Sequence, residues 1–377
     1  MSARQAPLYQ GAMATAAQHF TPTGNKDRPI WAGNTGLWYD KFCDRWDSGF
    51  GDISAISKTE ENPKLQWVDS VIFPRRADGV PDRTEPAVRA GDPDLLVETA
   101  KRREALARAQ GGLCLEFILE TRLLTGTGRP HPVENGIAWH PTLGVPFLAG
   151  SGVKGVLRSW ARQAADATPD LIDTLFGPPS DEKLHVGALQ VLDALPVEPV
   201  LLAAEIITPH TGPWNQVEPD AKRVQNLDDA PADWHSPVPV PLLAVESDIR
   251  FQFILLPGTG PVPKGGWEAT LARCQQWLTD ALHDLGAGAK TSSGYGRFRA
   301  VGAPGPTDPD ISLPRGVRPS GKPATAGQAA TTTALPRHGT VDGEAVEILR
   351  REGSHYVVKF IDSGDIERVR IEEVNFK

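Results

Sequence analysis

Residues 145–160, VPFLAGSGVKGVLRSW, join a short apolar run to a sequence that is typical of a helix. The stretch contains the spacing G-x-G-x-x-G at Gly150, Gly152 and Gly155. A dinucleotide-binding loop with this spacing follows a buried parallel strand, and an acid that ends a second strand stands about 20 residues further on. Here Pro146 interrupts the preceding run, and the acids downstream stand in helix-like sequence. The stretch therefore does not favour a dinucleotide site.

A second glycine-rich stretch, GAGAKTSSGYGRF, occupies residues 286–298. Its composition is similar to that of a phosphate-binding P-loop, because Lys290 follows glycines and precedes hydroxyl residues. A P-loop runs from a strand into a helix, so that the helix N-terminus faces the phosphate. This stretch runs the opposite way, from a predicted helix into a predicted strand, and ATP hydrolysis is therefore not expected.

The two stretches share small turns with cations and hydroxyl groups close by. Glycine lets a ligand approach the backbone closely, Ser151 is predicted to cap the following helix, and Lys154 and Arg158 share one helix face. Together they could bind the phosphates of a polyanion, most naturally single-stranded RNA. An equally weighted alternative is that both are ordinary tight turns with solvated charges. The candidate RNA-binding residues are Gly150, Ser151, Gly152, Lys154, Arg158, Lys290, Thr291, Ser292, Ser293, Gly294, Tyr295 and Arg297.

The order of the predicted elements indicates an α+β fold with a ferredoxin-like (RRM-like) core of the split βαβ type. In that order, the turn before the helix at 151–165 and the loop before the last strand can meet at one end of the sheet. Periodicity and turn residues predict strands at 113–126, 185–195, 200–209, 238–246, 249–256 and 294–301, and helices at 92–112, 151–165 and 266–285.

Changes in composition divide the chain into four parts. The segment after the core lacks aromatic residues and is rich in Pro, Ala, Thr and Gly, as expected of a flexible linker. The last forty residues alternate again and predict a small, SH3-like, β-barrel-like module. The first part is an N-terminal extension, 1–112, which ends in a helix and docks apolar islands at 33–42 and 65–73 on the core. The core spans 113–302, the linker 303–337 and the module 338–377.

The composition of the whole chain excludes several classes of protein. A net charge of −8 over 377 residues argues against a surface that is basic all over, although a local basic groove stays possible. The three cysteines form no C-x-x-C pair, so neither a disulfide framework nor a zinc site is expected. No stretch is long and apolar enough to span a membrane. The sequence predicts a cytoplasmic protein without a metal, a cofactor or a membrane partner.

The first stretch resembles the glycine-rich motif of the RAMP superfamily of CRISPR proteins, and GAGAKTSSGYGRF resembles its C-terminal glycine-rich loop. Ala149 stands where the family usually has Pro, and Gly152 where it usually has Ser; both changes keep the turn small. The resemblance covers most of residues 30–300. Four further segments are similar to the sixth-subunit family of type III-B Cmr effector complexes: GNTGLWYDKF, TRLLTGTGRPHPVENGIAWHPTLGVPFL, EIITPH and PVPVPLLAVESDIRFQF.

This resemblance implies a non-catalytic structural subunit that binds crRNA near its 3′ end in an antiviral effector complex. The turn at Gly150–Gly152, with Lys154 and Arg158, would hold guide phosphates, and Lys290 to Arg297 would continue that track. The implied partners are crRNA, target RNA, the repeated backbone subunit and a neighbouring large RAMP subunit. Base pairing would supply the choice of sequence.

Some RAMP proteins are metal-independent endoribonucleases that use a histidine as general acid and base, and this is the alternative function. The candidates here are His131, His140 and His210. All three have a proline beside them, a setting in which a hydrogen-bonded loop residue is the more common outcome.

Two further segments leave alternatives open. The insertion at 210–237 carries Trp214 and Trp234 among turn residues, and could wedge into a guide–target duplex or be ordered by a neighbouring subunit. Acids outnumber bases in the module at 338–377, which favours a protein partner over RNA.

Overall fold

The fold combines helices with antiparallel sheets, as the α+β prediction requires. The computed structural model describes residues 22–43, 62–76, 79–164, 166–178, 186–209 and 239–302, and the backbone of five strands between 338 and 376. The chain divides into two units, Met1–Pro319 and Ser320–Lys377. The predicted insertion at 210–237, His210 and the predicted linker at 303–337 lie outside the described residues.

The described part of the first unit contains short strands and six α-helices. The strands are β1 Pro22–Thr23, β2 Ile30–Trp31, β3 Leu113–Leu119, β4 Leu189–Val191, β5 Leu195–Pro196, β6 Leu202–Ile207, β7 Val240–Val245, β8 Arg250–Pro257 and β9 Phe298–Ala300. The helices are α1 Thr35–Lys41, α2 Pro63–Asp69, α3 Pro93–Ala109, α4 Gly150–Ala161, α5 Pro169–Phe176 and α6 Gly266–Asp284.

An antiparallel sheet in the order β4–β8–β3–β9 forms the centre of this unit, and β5 also pairs with β8. Strand β8 lies in the middle of the sheet, and its residues from Phe251 to Leu256 are buried, because other elements cover both faces. Strand β3 pairs with β8 on one side and with β9 on the other. The strand predicted at 113–126 ends at Leu119; beyond it, Leu123 and Leu124 form only isolated bridges.

Helices α4 and α6 pack against each other and contact the sheet. Leu271, Cys274, Leu278 and Leu282 follow the spacing of one helix face, and all four are buried. Val153 and Leu157 of α4 are buried in the same core cluster. The prediction of helix 266–285 is confirmed, because an apolar stripe of this length fixes both the type and the extent of the element.

The N-terminal segments dock on this core through aromatic side chains, as the apolar islands predict. Tyr39 of α1 stacks on His131 with ring centroids 4.2 Å apart, and it is fully buried. Trp67 of α2 belongs to the same core cluster as Phe117 of β3. Asn34 caps α1 and also donates a hydrogen bond of 2.8 Å to the carbonyl of Pro141. The N-terminal segments and the sheet therefore share one apolar core.

A separate hairpin, β6–β7, attaches to the chain just beyond β3. Its two strands pair from Leu202↔Val245 to Ile207↔Val240. Leu123 exchanges two backbone hydrogen bonds with Val245, of 3.0 and 2.9 Å. The hairpin therefore continues from the end of β3 rather than extending the central sheet.

The second unit contains five antiparallel strands in the order β13–β12–β11–β10–β14. No pairing between β13 and β14 closes this sheet within the described strands. In the described parts of the chain, no helix has the length and apolar character needed to cross a membrane. The strands are β10 His338–Val341, β11 Glu344–Glu352, β12 His355–Phe360, β13 Ile366–Arg370 and β14 Val374–Phe376.

Candidate nucleic-acid interface

The second glycine-rich stretch lies at the end of the central sheet where β3 leaves it. Strand β3 ends at Leu119, which is paired with Phe298 at the start of β9. The second stretch leads into β9, so it reaches the sheet where β3 leaves it. The chain from β3 then leads through residues 120–148 to α4, at whose start the first stretch lies.

A short segment after β3 links the two stretches by hydrogen bonds. The amide of Ala289 donates to the carbonyl of Leu124 at 2.7 Å. The hydroxyl of the next residue, Thr125, donates to the carbonyl of Phe147 at 2.9 Å. Adjacent residues of one segment therefore hold the second stretch and the approach to the first, which fixes their relative position.

Helix α4 begins one residue earlier than the sequence suggested, and Ser151 does not cap it. Ala149 has the extended N-cap conformation, and Gly150 is the first helical residue. The Gly150 amide donates to the Asp193 carboxylate at 2.6 Å, so a side chain from a distant loop satisfies the helix N-terminus. A Cβ at Gly150 would collide with the backbone carbonyl of Val191. This first turn is therefore built for close packing, and an internal carboxylate already occupies its positive end.

The two cations of α4 donate hydrogen bonds to backbone carbonyls of the same protein. Lys154 Nζ donates to the Leu189 carbonyl at 2.6 Å, and the Arg158 guanidinium donates to the Gly177 carbonyl at 3.0 Å. Burial lowers the pKa of the Lys154 ammonium, and the charge of Arg158 adds to that effect. Both side chains are half-buried. In the structure, the hydrogen bonds of these two side chains hold α4 against the start of β4 and the end of α5.

The second stretch exposes its central residues. Lys290 has φ of 56°, a left-handed conformation that is costly for a residue with a side chain, and it is exposed. A 3₁₀ turn follows at Thr291–Ser293, with Ser292 and Ser293 exposed. Lys290 makes no ion pair within the described residues. The stretch thus exposes one cation and two hydroxyl groups on a strained backbone. These are groups that bind anionic ligands.

The remaining candidate residues of this stretch, Gly294, Tyr295 and Arg297, stabilise the conformation of the exposed segment. The Arg297 guanidinium donates to the carbonyls of His283 and Thr291, at 3.3 and 3.4 Å. Gly294 has φ of 89° and ends the 3₁₀ turn in a left-handed conformation. Tyr295 is half-buried, and burial, followed by the charge of Glu205 and a hydrogen bond to it, raises the pKa of its hydroxyl.

The two described histidines of the alternative hypothesis are held by hydrogen bonds to the backbone. Val133 donates its amide to His131 Nδ1, and His131 Nε2 lies 3.1 Å from the Tyr39 carbonyl, which defines a neutral, Nε2-protonated ring. Burial lowers the pKa of His131 to about 4. Burial also lowers the pKa of His140, whose Nδ1 accepts the amide of Leu143 at 3.2 Å. These contacts are those of structural histidines.

Sequence reasoning missed the residues that anchor both stretches. Asp193 is 43 residues from the amide that it caps, and no local pattern marks it. Arg122, Glu205 and Glu246 form an ion-pair cluster beside the second stretch. No group of three or more His, Cys, Asp or Glu side chains that could hold a metal ion occurs in the ranges that the structure covers.

The middle of the chain matches a known protein family. Residues 116–299 match the family described as the RAMP superfamily. We refer to this matched part of the chain as the RAMP region. The RAMP region begins within β3 and ends within β9, so it contains the central sheet, helices α4 and α6 and both glycine-rich stretches.

The chain is also similar to a CRISPR protein. The chain is 28% identical, over 244 residues, to the CRISPR system Cmr subunit Cmr6 of Pyrococcus furiosus, covering 48% of this chain and 66% of the relative. The chain thus spans about two thirds of that relative's length. The resemblance to the sixth Cmr subunit, predicted from the motifs, is confirmed at this level.

Two solved structures are also similar. One is a chain in the cryo-EM structure of Type III-B Cmr-beta bound to cognate target RNA, at 19% identity and a TM-score of 0.40, covering 54% of this chain and 64% of that chain. The other is the crystal structure of Cmr6 from Pyrococcus furiosus, at 25% identity and a TM-score of 0.31, covering 50% of this chain and 97% of that chain.

Proposed function

We propose that the chain is a non-catalytic, crRNA-binding structural subunit of a cytoplasmic type III-B CRISPR effector complex, placed near the crRNA 3′ end. The similarity of the chain to Cmr6, together with the match of residues 116–299 to the RAMP superfamily, supports assignment to this type of complex. Its partners would be crRNA, target RNA, the repeated backbone subunit and a neighbouring large RAMP subunit.

The strand order supports a ferredoxin-like core. The units β3–α4–β4 and β8–α6–β9 interleave in the antiparallel order β4–β8–β3–β9, which is the split βαβ arrangement. The RNA-binding core would span 113–302, after an N-terminal extension over 1–112. For the module at 338–377, the five antiparallel strands would form an SH3-like barrel if β13 paired with β14 and closed the sheet.

The observation that carries the proposal is the exposed segment from Lys290 to Ser293 at the end of the sheet where β3 leaves it. Its ammonium and hydroxyl groups can contact successive phosphates without reading bases, as a guide-binding subunit requires. At the first stretch, Ser151 and Gly152 are exposed and open to a ligand. Lys154 and Arg158 support this turn through their carbonyl bonds and add positive potential beside it.

The histidine geometry favours binding over cleavage. A general acid and base must exchange a proton near neutral pH, and burial holds the pKa of His131 at about 4. His140 is half-buried and its Nδ1 already accepts a backbone amide. Incubation of the full chain with repeat RNA in a chelator tests this directly. We expect intact RNA, and specific cutting that is lost in His140→Ala or His210→Ala would establish the nuclease instead.

Co-purification tests the binding function. The tagged full chain is expressed with the other subunits and a CRISPR array, and the RNA that it retains is sequenced and quantified. We expect crRNA with the wild type and a clear loss with Lys290→Ala combined with Arg297→Ala. Lys101→Ala, which removes an exposed cation from α3, is the matched control and should retain crRNA. Equal retention by all variants would refute this site.

A further inference from the structure

We infer that Arg122 is the positioning residue of the proposed RNA-binding loop, here the segment 286–297, and that it acts without contacting RNA. This inference rests on the proposed function. The inference assigns a role to a cluster of one arginine and two glutamates beside the loop. The glutamates neutralise the arginine, and the backbone of the arginine together with the two glutamates holds the loop in place.

The guanidinium of Arg122 is fully engaged by carboxylates. Its Nη1 pairs with Glu205 of β6, and its Nε and Nη2 lie 3.1 and 3.0 Å from oxygens of Glu246. The arginine side chain is 25% exposed, and the two glutamates are 16% and 29% exposed. Two carboxylates around one guanidinium leave a net negative charge. Arg122 therefore has no free positive charge to offer a phosphate.

The protonation state of this cluster agrees with that conclusion. Burial works to lower the pKa of the Arg122 guanidinium, but hydrogen bonds to Glu246 and Glu205 and their charges outweigh it, so the pKa lies above its ordinary value. A charge that is buried with its partners is costly to leave unpaired. Removal of the guanidinium would leave two carboxylates facing each other, and they would repel.

Both ends of the loop are fixed to the segment that carries Arg122. The Gly296 amide donates to the Arg122 carbonyl at 2.9 Å, and the Arg297 amide donates to Thr121 Oγ1 at 3.0 Å. Ala289, at the other end, donates to the Leu124 carbonyl at 2.7 Å. Gly296, with φ of 69°, packs so closely on Ala287 that a Cβ would collide with its carbonyl. The base of the loop thus moves only if residues 121–124 move.

Glu205 connects the cluster to the centre of the loop. It pairs with Arg122 and also interacts with the Tyr295 hydroxyl, whose pKa is raised by burial and by the charge of Glu205. Tyr295 lies two residues after Ser293, the last exposed residue of the segment that is proposed to contact phosphates. Loss of Arg122 would therefore displace Glu205, then Tyr295, and with it the displayed segment from Lys290 to Ser293.

Two measurements on the full chain test the inference. The first is amide hydrogen exchange without RNA. We expect Arg122→Gln to speed exchange in 286–297 at least about fivefold, about 1 kcal/mol of local opening, while α3 stays unchanged. Arg122→Gln combined with Glu205→Gln and Glu246→Gln removes the repulsion and should restore most of the protection. Unchanged exchange in the single variant would overturn the inference, whether or not the chain binds RNA.

The second measurement is the salt dependence of binding to a labelled single-stranded RNA of guide length. We expect Arg122→Gln to weaken binding at least about fivefold with an unchanged salt slope, and the triple variant to recover affinity. Lys290→Ala should lower the slope by about 0.7, as expected for one lost contact with a single-stranded phosphate. A slope that falls by this amount in Arg122→Gln would show direct contact and overturn the inference. If Lys290→Ala and wild type behave alike, the proposed function fails while the exchange result still decides the role of Arg122.

Discussion

Replacement of both cations of α4 separates a supporting role from direct RNA contact. In Lys154→Met combined with Arg158→Met, the apolar stems remain and the donors to the Leu189 and Gly177 carbonyls are lost. A hydrogen bond from a charged donor contributes about 1.5–3 kcal/mol, and partial exposure of both side chains reduces this to about 1 kcal/mol each. We expect the double variant to lose about 2 kcal/mol of unfolding free energy.

Thermal and urea unfolding of the full chain measure this loss. For a unit of this size, about 2 kcal/mol lowers Tm by roughly 4–8 °C. Binding of single-stranded RNA is measured on the same samples across a salt series. We expect the salt slope to change by much less than the roughly 1.4 that two lost phosphate contacts would give. An unchanged Tm together with a slope reduced by that amount would refute the structural assignment of Lys154 and Arg158.

Three further predictions concern Asp193, His131 and Lys290. Asp193→Ala removes the cap of α4 and should cost about 1 kcal/mol in urea unfolding, whereas Asp193→Asn, which keeps an acceptor, should cost less; equal losses would contradict the capping role. The neutral His131 ring makes its full contribution to the free energy of unfolding above pH 6.5. Because the folded pKa is about 4, this contribution should fall by about 1.4 kcal/mol per pH unit as the pH drops from 6.5 towards 4. His131→Phe should flatten that pH dependence in unfolding experiments, and an unchanged profile would contradict it. Lys290→Gly relieves the left-handed backbone, so stability should rise by up to about 1 kcal/mol while RNA affinity falls; equal RNA affinity would show that the strain serves another purpose.

Periodic and local signals predicted the three long helices, α3, α4 and α6, but not the short helices α1, α2 and α5. The apolar stripe of α6 depends on residues a few positions apart, and the predicted helix agrees with the structure. The combination of helices with sheet also followed from the order of the predicted elements. The first strand was predicted too long, since Leu123 and Leu124 continue the apolar run after the chain has left the sheet for the β6–β7 hairpin.

The details of the site could not be predicted, because they depend on contacts between residues that are distant in sequence. Ser151 was a reasonable cap by residue type, but Asp193 reaches the helix N-terminus from another loop. Lys154 and Arg158 were assigned to phosphates because they share one helix face beside a glycine-rich turn, and no local feature indicates that carbonyls 35 and 19 residues away, respectively, accept their hydrogen bonds.

The central claim is that the segment from Lys290 to Arg297 holds the guide strand without cutting it. Photocrosslinking of the assembled complex, with 4-thiouridine placed along the crRNA and crosslinked peptides identified by mass spectrometry, tests it most directly. The account predicts crosslinks from the 3′ part of an intact crRNA to the peptide that contains Lys290–Arg297, reduced in Arg122→Gln. Crosslinks confined to other surfaces of the chain, or crRNA shortened at this subunit, would contradict the account.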